Sequence, residues 1–221
     1  VQPDGKIVLA GEANNGTNSD FAAVRYTSTG ALDSTFGTGG KVVTTIGTGT
    51  EIAYTAALQG DGKIILAGYA AMTNEDFALV RYNTDGTLDT TFDTDGKATF
   101  TMGTGTDVAY GITQQRNGKL ILGGDASNDF GLLRLNENGS LDSTFGVNGR
   151  AITAVGTATD TCYAIAVQPD DKIIAVGRTF NGTNYDIALA RHNTAGSLDT
   201  TFDTDGKAIF PIGAGTEQGR G

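Results

Sequence analysis

The stretch "LDTTFDTDGK" stands at residues 88–97, and the same ten residues return unchanged at 198–207. Two near-copies, "LDSTFGTGGK" at 32–41 and "LDSTFGVNGR" at 141–150, complete a set of four. Their first residues are leucines that lie 56, 53 and 57 positions apart, namely Leu32, Leu88, Leu141 and Leu198. A fixed period of this size indicates tandem structural units, so the sequence predicts four repeats of about 55 residues.

Other segments keep the same period, and the repeats cover essentially the whole chain. Their predicted bounds are 1–50, 51–106, 107–159 and 160–216, and residues 217–221 start a further repeat. Because tandem repeats stack on their neighbours, residues 1–221 are expected to form a single domain or part of one.

Each repeat is predicted to hold four short strands. The first is rich in small residues, as in "EIAYTAALQ" at 51–59, and the second is a nearly continuous apolar run, as in "KIILAG" at 63–68. The third is "DFALVRY" at 76–82, and the fourth is "KATFTM" at 97–102. Second strands are expected at 6–11, 63–68, 119–124 and 172–177, and fourth strands at 41–46, 97–102, 150–155 and 207–212. Pro211 lies in the last fourth strand and cannot donate to a ladder, so the fourth strand should be an outer edge.

The pattern predicts an all-β fold. Four-stranded antiparallel units of this length, stacked face to face, are the blades of a β-propeller. A β-solenoid is the main alternative, but its coils are usually shorter than these repeats.

The pattern "QPDGKIVLAG … DFAAVRY … GALDSTFGTGGK" over residues 2–41 resembles the bacterial delta-60 repeat family, whose repeats are predicted to form β-propellers. The resemblance extends over all four repeats. It implies an extracellular or cell-surface bacterial protein, and it brings no catalytic residues with it.

Composition limits the classes of partner. The formal net charge is −10, so the chain should repel nucleic acid and anionic membranes. The apolar run "IILAGYAAM" at 64–72 is too short to span a bilayer, so no membrane insertion is expected. Cys162 is the only cysteine, which excludes an internal disulfide.

Three charged positions recur in every repeat, and they are interpreted as structural. The Arg of the third strand lies on an apolar face, so it needs a carboxylate partner. The Asp that opens the third strand is five residues away, an odd offset that points it to the other face, so the Asp of "LDxTF", just across the following turn, is the expected partner. The predicted pairs are Arg25–Asp33, Arg81–Asp89, Arg134–Asp142 and Arg191–Asp199. The aspartates that open the third strands are not expected to pair with these arginines, and they are Asp20, Asp76, Asp129 and Asp186.

No residue is assigned to catalysis, to a cofactor or to a metal. The "DTDGK" segments leave calcium binding open at Asp93 and Asp95 and at Asp203 and Asp205, but oxygen ligands are few and a solvated turn is the alternative. His192, Cys162 and the recurring tyrosines are interpreted as packing residues, namely Tyr54, Tyr110 and Tyr163.

Specificity is expected where the copies differ. The most variable segments are the linkers between second and third strands, at 12–19, 69–75, 125–128 and 178–185. A second candidate surface is the approach to the first strand, with Glu51, Asp107, Asp160 and Glu217. The expected function is a non-catalytic scaffold or binding module for a protein or glycan. The alternative is a polysaccharide hydrolase or lyase that uses the central mouth of the propeller.

The ends of the sequence give one more expectation. Residues 217–221 hold two glycines and no large apolar residue, so they form a poor first strand. The chain is therefore expected to come from a longer array, with self-association possible through unpaired terminal strands. A four-bladed ring closed by 217–221 is the alternative.

Overall fold

The computed structural model describes residues 1–220, and this part of the chain holds fifteen β-strands and no helix. The chain forms two compact bodies, Val1–Phe100 and Thr101–Gly221. The first body contains β1 Ile7–Asn14, β2 Ser19–Tyr26, β3 Lys41–Thr44, β4 Glu51–Leu58, β5 Ile64–Ala71, β6 Glu75–Tyr82 and β7 Lys97–Phe100. The second contains β8 Asp107–Gln114, β9 Leu120–Ala126, β10 Asp129–Leu135, β11 Arg150–Thr153, β12 Asp160–Val167, β13 Ile173–Phe180, β14 Tyr185–His192 and β15 Lys207–Phe210.

Every sheet is antiparallel and follows the order of the chain. The first body holds the sheets β1–β2–β3 and β4–β5–β6–β7, and the second holds β8–β9–β10–β11 and β12–β13–β14–β15. The all-β prediction is confirmed, and three of the four sheets have the predicted four strands. The fourth strand is the outer edge in each sheet, as predicted, although Pro211, on which the prediction rested, lies just beyond the end of β15.

The fourth strands are shorter than predicted, with four residues each instead of six. After β3, β7 and β11, the residues that follow the strand give their backbone N–H groups to a side chain rather than to a ladder. In the second sheet of the first body, for example, the chain leaves β7 at Phe100 and the N–H of Met102 is bound by the Asp107 carboxylate at 2.6 Å. An N–H held in this way cannot join the sheet, so the strand ends early.

The second strands are longer than predicted. They continue to Asn14, Ala71, Ala126 and Phe180, because their ladders with the third strands run on to the hairpin turn. About half of the residues in the linkers expected at 12–19, 69–75, 125–128 and 178–185 therefore belong to strands.

A β-bulge interrupts the first strand of three sheets. The residue left out of the register is Tyr54, Tyr110 or Tyr163. Beside the bulge, a backbone carbonyl comes so close to the second strand that only glycine fits. A Cβ added to Gly177 would lie 1.8 Å from the Thr161 oxygen, and Gly68 and Gly124 are equally crowded.

Each body has its own apolar core between its two sheets. Phe21, Phe36 and Leu66 are fully buried in the first body, and Phe130 and Phe145 are fully buried in the second.

A side-chain hydrogen bond joins the two sheets in each body. The Tyr82 hydroxyl bonds Thr44 Oγ1 at 2.7 Å, and His192 Nε2 bonds Thr153 Oγ1 at 2.9 Å at the matching place.

Among residues 1–220, no helix is long and apolar enough to cross a membrane.

Candidate functional site

The recurring arginine and aspartate of each repeat form an ion pair. The Arg Nε to Asp Oδ2 distances are 2.7, 2.7, 2.6 and 2.8 Å in Arg25–Asp33, Arg81–Asp89, Arg134–Asp142 and Arg191–Asp199. The predicted pairing is confirmed, and the aspartate that opens the third strand is not the partner.

The third repeat shows the full set of contacts around this ion pair. We call Arg134, Asp142, Thr144, Phe145 and Lys119, and their counterparts in the other repeats, the brace. Arg134 lies 4.5 Å above the Phe145 ring, and the Asp142 Oδ1 accepts the Thr144 N–H at 3.1 Å and the Thr144 hydroxyl at 2.6 Å. Lys119 Nζ lies 2.6 Å from the Asp142 Oδ2. Burial alone would raise the pKa of Asp142, but the hydrogen bonds from Lys119 and Thr144 outweigh it and hold that pKa well below its ordinary value.

The lysine of the brace was not predicted. It follows the turn between the first and second strands, and it pairs with the brace aspartate in every repeat, at Lys6, Lys63, Lys119 and Lys172. Its recurrence in the turn motif was the signal that could have identified it.

The brace also ties its sheet to the next one, which the sequence did not indicate. In the first body, Arg25 Nη1 donates to the Thr84 carbonyl of the following sheet at 2.5 Å. In the second, Arg134 Nη1 donates to the Thr194 carbonyl at 2.6 Å. The recurring charges are therefore used within and between sheets.

The predicted second surface is mostly buried. Glu51, Asp107 and Asp160 are fully buried, and each carboxylate accepts N–H groups from the turn before its own strand. Glu217, the fourth predicted residue, is partly exposed. The three buried carboxylates close turns and are not accessible to a ligand from solvent.

The "DTDGK" segments form turns. Asp93 and Asp203 have positive φ angles of 51° and 43°. Asp95 Oδ1 accepts the Lys97 N–H at 3.1 Å, and Asp205 Oδ2 lies 3.7 Å from Lys207 Nζ. Within residues 1–220, no three His, Cys, Asp or Glu side chains come together as a metal site would need.

His192 and Cys162 are buried and lie apart from any acid–base arrangement. Burial lowers the pKa of His192 to about 4 and raises the pKa of Cys162 to about 12. A thiol with such a pKa is a poor nucleophile, which agrees with the packing interpretation.

The side chains that differ between repeats stand at the sixth position of each second strand. They are Glu12, Tyr69, Asp125 and Arg178. The bulge tyrosine of the first strand lies two residues after the first-strand residue that pairs with this position. Each body therefore combines recurring tyrosines with charged or polar residues that change from repeat to repeat.

In the second body these residues form an aromatic cluster around an arginine. The rings of Tyr110 and Tyr163 lie 5.5 Å apart. The Arg178 guanidinium lies 4.0 Å from the Tyr185 ring and 5.5 Å from the Tyr163 ring. Its Nε has no hydrogen-bond partner within the described residues. We call Tyr110, Tyr163, Tyr185 and Arg178, with Asp125, the tyrosine–arginine cluster.

Asp125 gives the cluster an unusual carboxyl group. Burial, together with the charges of Asp107 and Asp129, raises its pKa to about 6, although the hydrogen bond from the Asn128 N–H and the charge of Arg178 act to lower it. Near neutral pH this group can accept hydrogen bonds, and it takes up a proton in mildly acidic solution.

The first body has a smaller arrangement of the same kind. Tyr54 and Tyr69 lie 6.1 Å apart, and Tyr54 is 49% exposed, so the packing role predicted for it does not describe it. Burial raises the pKa of both tyrosines, and the nearby carboxylates of Glu75 and Glu12 add to the effect.

Two matching grooves lie elsewhere. A cavity of about 700 Å³ beside β11 is lined by Val147, Ile152 and Leu198, and one of about 480 Å³ beside β3 is lined by Val43 and Leu88. Their walls are mostly apolar side chains and backbone, without the convergent polar groups of a small-molecule site.

Sequence reasoning located the variable segments but misjudged their structure. It treated the sixth position as the start of a linker, whereas the residue sits on a strand next to a bulge tyrosine. Aligning the second strands column by column would have shown one position with Glu, Tyr, Asp and Arg inside otherwise apolar strands.

Comparison with known proteins identifies a family. The model described as "Domain of unknown function (DUF5122) beta-propeller" matches residues 2–36, 59–92, 115–145 and 168–202, which together are more than half of the chain. The four matches fall one in each repeat. They support a β-propeller repeat family, while the delta-60 name stays a prediction. No curated protein matches the chain.

Proposed function

The chain belongs to the DUF5122 β-propeller family, and from this premise we propose that it is a non-catalytic glycan-binding module whose sheets are propeller blades. The tyrosine–arginine cluster is its binding site. The resemblance of its repeats to those of bacterial surface proteins supports a further part of the proposal, that it acts outside a bacterial cell.

The observation that carries the proposal is the position of Arg178. The recurring arginines form ion pairs with the brace aspartates, whereas Arg178 lies against Tyr185 and Tyr163. Arg178 is partly buried, and its Nε is buried without a hydrogen-bond partner among the described residues, which favours a ligand that supplies hydrogen-bond acceptors.

The chemistry of the cluster suits sugars. Tyrosine faces carry negative charge density and attract the polarised C–H groups of a sugar ring, while the hydroxyls donate and accept hydrogen bonds. Arg178 offers a fork of donors, and Asp125 accepts from sugar hydroxyls. A protein partner would need a much larger continuous surface, about 800 Å² on this side.

The second candidate is a polysaccharide hydrolase or lyase. The observation that favours it is the pKa of Asp125, which is raised to about 6. A carboxyl group near this pKa can transfer protons at neutral pH. The preference for binding rests on Arg178 and its tyrosines, whose arrangement suits recognition of a sugar ring rather than proton transfer.

An immobilised glycan array and a turnover assay on a polysaccharide panel test the proposal together. The chain should bind selected glycans without producing new chain ends. Arg178→Gln should weaken binding at least about tenfold, which corresponds to one lost charged hydrogen bond. Arg116→Gln is the matched control, because Arg116 is exposed in the turn at the other end of β9.

Turnover that disappears in Asp125→Asn would establish the second candidate instead. Equal binding by wild type and Arg178→Gln would show that the cluster is not the site. Binding to immobilised proteins but to no glycan would show that the ligand is a protein rather than a glycan.

A further inference from the structure

One end of the β4–β5–β6–β7 sheet carries different side chains from the matching end of the β12–β13–β14–β15 sheet. The positions compared are the bulge of the first strand, the sixth position of the second strand and the first position of the third strand. They hold Tyr54, Tyr69 and Glu75 in the first body, and Tyr163, Arg178 and Tyr185 in the second. The bulge tyrosine is thus shared, while the other two positions differ.

In the second body, a side chain of the chain itself supplies a positive charge at this place. The Arg178 guanidinium lies 4.0 Å from the Tyr185 ring and 5.5 Å from the Tyr163 ring. In the first body, Tyr69 takes the place of this arginine, and its ring lies 6.1 Å from the Tyr54 ring with an angle of 33° between the planes. At the third position a carboxylate replaces an aromatic ring, so the first body keeps two rings but exchanges the positive charge for a negative one.

Two carboxylates act on these rings. Burial raises the pKa of Tyr54 and of Tyr69, and the negative charges of Glu75 and Glu12 raise both values further. The field of the two carboxylates therefore reaches both rings. Glu75 is partly exposed, so this end of the sheet is open to solvent. We call Tyr54, Tyr69, Glu75 and Glu12 the tyrosine–glutamate group.

Such a group attracts positive charge in two ways. The face of a tyrosine ring attracts a cation that lies within about 6 Å of the ring centre. Carboxylates add a direct attraction between charges, and the net charge of −10 raises the concentration of cations around the chain. A divalent metal ion needs several oxygen ligands at fixed positions, whereas an organic ammonium group can contact ring faces through its methyl or methylene groups.

We propose that the tyrosine–glutamate group is a second binding site of the chain, and that it takes an organic ammonium group. The ammonium group lies against the two tyrosine rings, and the two glutamates balance its charge. The ligand thus supplies the positive charge that Arg178 supplies in the second body. The site lies wholly within the first body and does not depend on the glycan-binding function proposed for the second.

Choline and a neutral analogue of it test this site. The analogue is the alcohol that has carbon in place of the choline nitrogen, so the two probes share a shape and differ in charge. In titrations followed by ligand-observed NMR at constant ionic strength, choline should bind the chain saturably in the millimolar range. The neutral alcohol should bind at least about fivefold more weakly, because both attractions are lost. Equal affinities for the two probes, or no saturable binding of choline, would overturn the proposal.

Two variants locate the bound ammonium group. Glu75→Gln removes one charge and Tyr54→Leu removes one ring, and each should lower the affinity for choline at least about threefold. Asp61→Asn is the matched control, because it removes the same charge from the exposed turn at the other end of β5 and should leave the affinity unchanged. Thermal midpoints of the three variants show whether each is folded, and Glu75→Gln keeps the shape of the side chain. An affinity unchanged in both Glu75→Gln and Tyr54→Leu would overturn the proposal.

Arg178→Gln separates this site from the one in the second body. It should bind choline with the affinity of the wild type, even where it weakens the binding of a glycan. A chain that binds choline but no glycan would support this site and contradict only the function proposed for the tyrosine–arginine cluster. Loss of choline binding in Arg178→Gln would show that the first body does not hold the ammonium group, and it would overturn the proposal.

Discussion

Arg134 shows, at the scale of one residue, why a charge recurs on an apolar strand face. Its guanidinium pairs with Asp142, lies on Phe145 and donates to the Thr194 carbonyl of the next sheet. One side chain thus satisfies a buried carboxylate and a carbonyl of the neighbouring sheet at once. Arg191 has a similar pair with Asp199, but its side chain is more exposed, at 18% against 8%.

Arg134→Ala should therefore destabilise the chain by about 2–4 kcal/mol, below the upper limit for a broken buried pair because Lys119 still contacts the aspartate. Arg191→Ala is the matched control and should cost no more than about 1 kcal/mol. Urea unfolding of both variants gives the two free energies. Equal losses would show that exposure and the contact with Thr194 are unimportant.

His192 should make stability depend on pH. Its pKa is lowered to about 4 by burial, against about 6.5 in an unfolded chain. The folded state therefore binds fewer protons between these values, so the contribution is complete above pH 6.5 or so and is lost as the pH falls toward about 4. The loss between pH 7 and pH 5 should be about 2 kcal/mol.

His192→Tyr isolates this effect, because Tyr82 at the matching place makes the same bond to a threonine. Asp125 acts in the opposite direction, since a raised carboxyl pKa favours the folded state as the pH falls, but it is present in both proteins. The difference between the unfolding free energies at pH 7 and pH 5 should be smaller for the variant than for wild type. An unchanged pH dependence in the variant would contradict the assignment of this effect to His192.

Cys162 should resist modification while the chain is folded. Its side chain is fully buried and its thiol pKa is raised to about 12, so little thiolate is present at pH 8. A chromogenic disulfide reagent should react with it only after unfolding in denaturant. Rapid reaction of the native chain would show that the sheet around β12 opens easily.

At the scale of the strand, the bulge in the first strand and the glycine of the second strand beside it belong to one structural feature. The bulge turns a tyrosine toward the end of the sheet, and it brings the Thr161 carbonyl against Gly177. A β-bulge commonly redirects a side chain in this way. The recurring tyrosine and the recurring glycine are thus two consequences of the same backbone irregularity.

Gly177→Ala should lower stability by at least about 2–3 kcal/mol, because the carbonyl or the bulge must move to admit a Cβ. Gly11→Ala is its matched control, because a Cβ on Gly11 would meet no atom within 4 Å. It should be neutral or up to about 1 kcal/mol stabilising, since it restricts the unfolded chain without a clash. Thermal unfolding of the two variants compares them directly. A similar midpoint for both would mean that the bulge carbonyl is not fixed.

The sequence predicted the strands well where a local rule governs them. Third strands were placed within one residue, because alternation and the flanking turns define them. Fourth strands were predicted too long, since the capping of Met102 by Asp107 depends on a contact that apolar alternation does not report. The bulge could not be predicted either, because it is visible only as a break in register between two strands.

At the scale of the whole molecule, the repeats separate two kinds of residue. Residues that recur, such as the brace, are used to build and join sheets. Residues that vary at the sixth position of the second strand stand beside the bulge tyrosines and differ in charge. The recurrence of the brace could be predicted from sequence, whereas the grouping of Arg178 with Tyr163 and Tyr185 needed the fold to bring β12, β13 and β14 together.

The net charge of −10 bears on the proposed ligand. An acidic surface disfavours polyanions over long distances, so Arg178 and its tyrosines must select a glycan by close contact rather than by long-range attraction. Binding should accordingly change little with salt concentration. A steep loss of affinity between low and physiological salt would point to a different, charge-driven mode.

The division between recurring and varying residues can be tested by titrating one array-selected glycan into two variants at low temperature, with thermal midpoints recorded on the same samples. The account predicts that Arg178→Gln keeps the midpoint of the wild type and loses at least about tenfold in affinity. It predicts that Arg134→Ala keeps the affinity while its midpoint falls by several degrees. The opposite pattern, with binding lost in Arg134→Ala and preserved in Arg178→Gln, would contradict it.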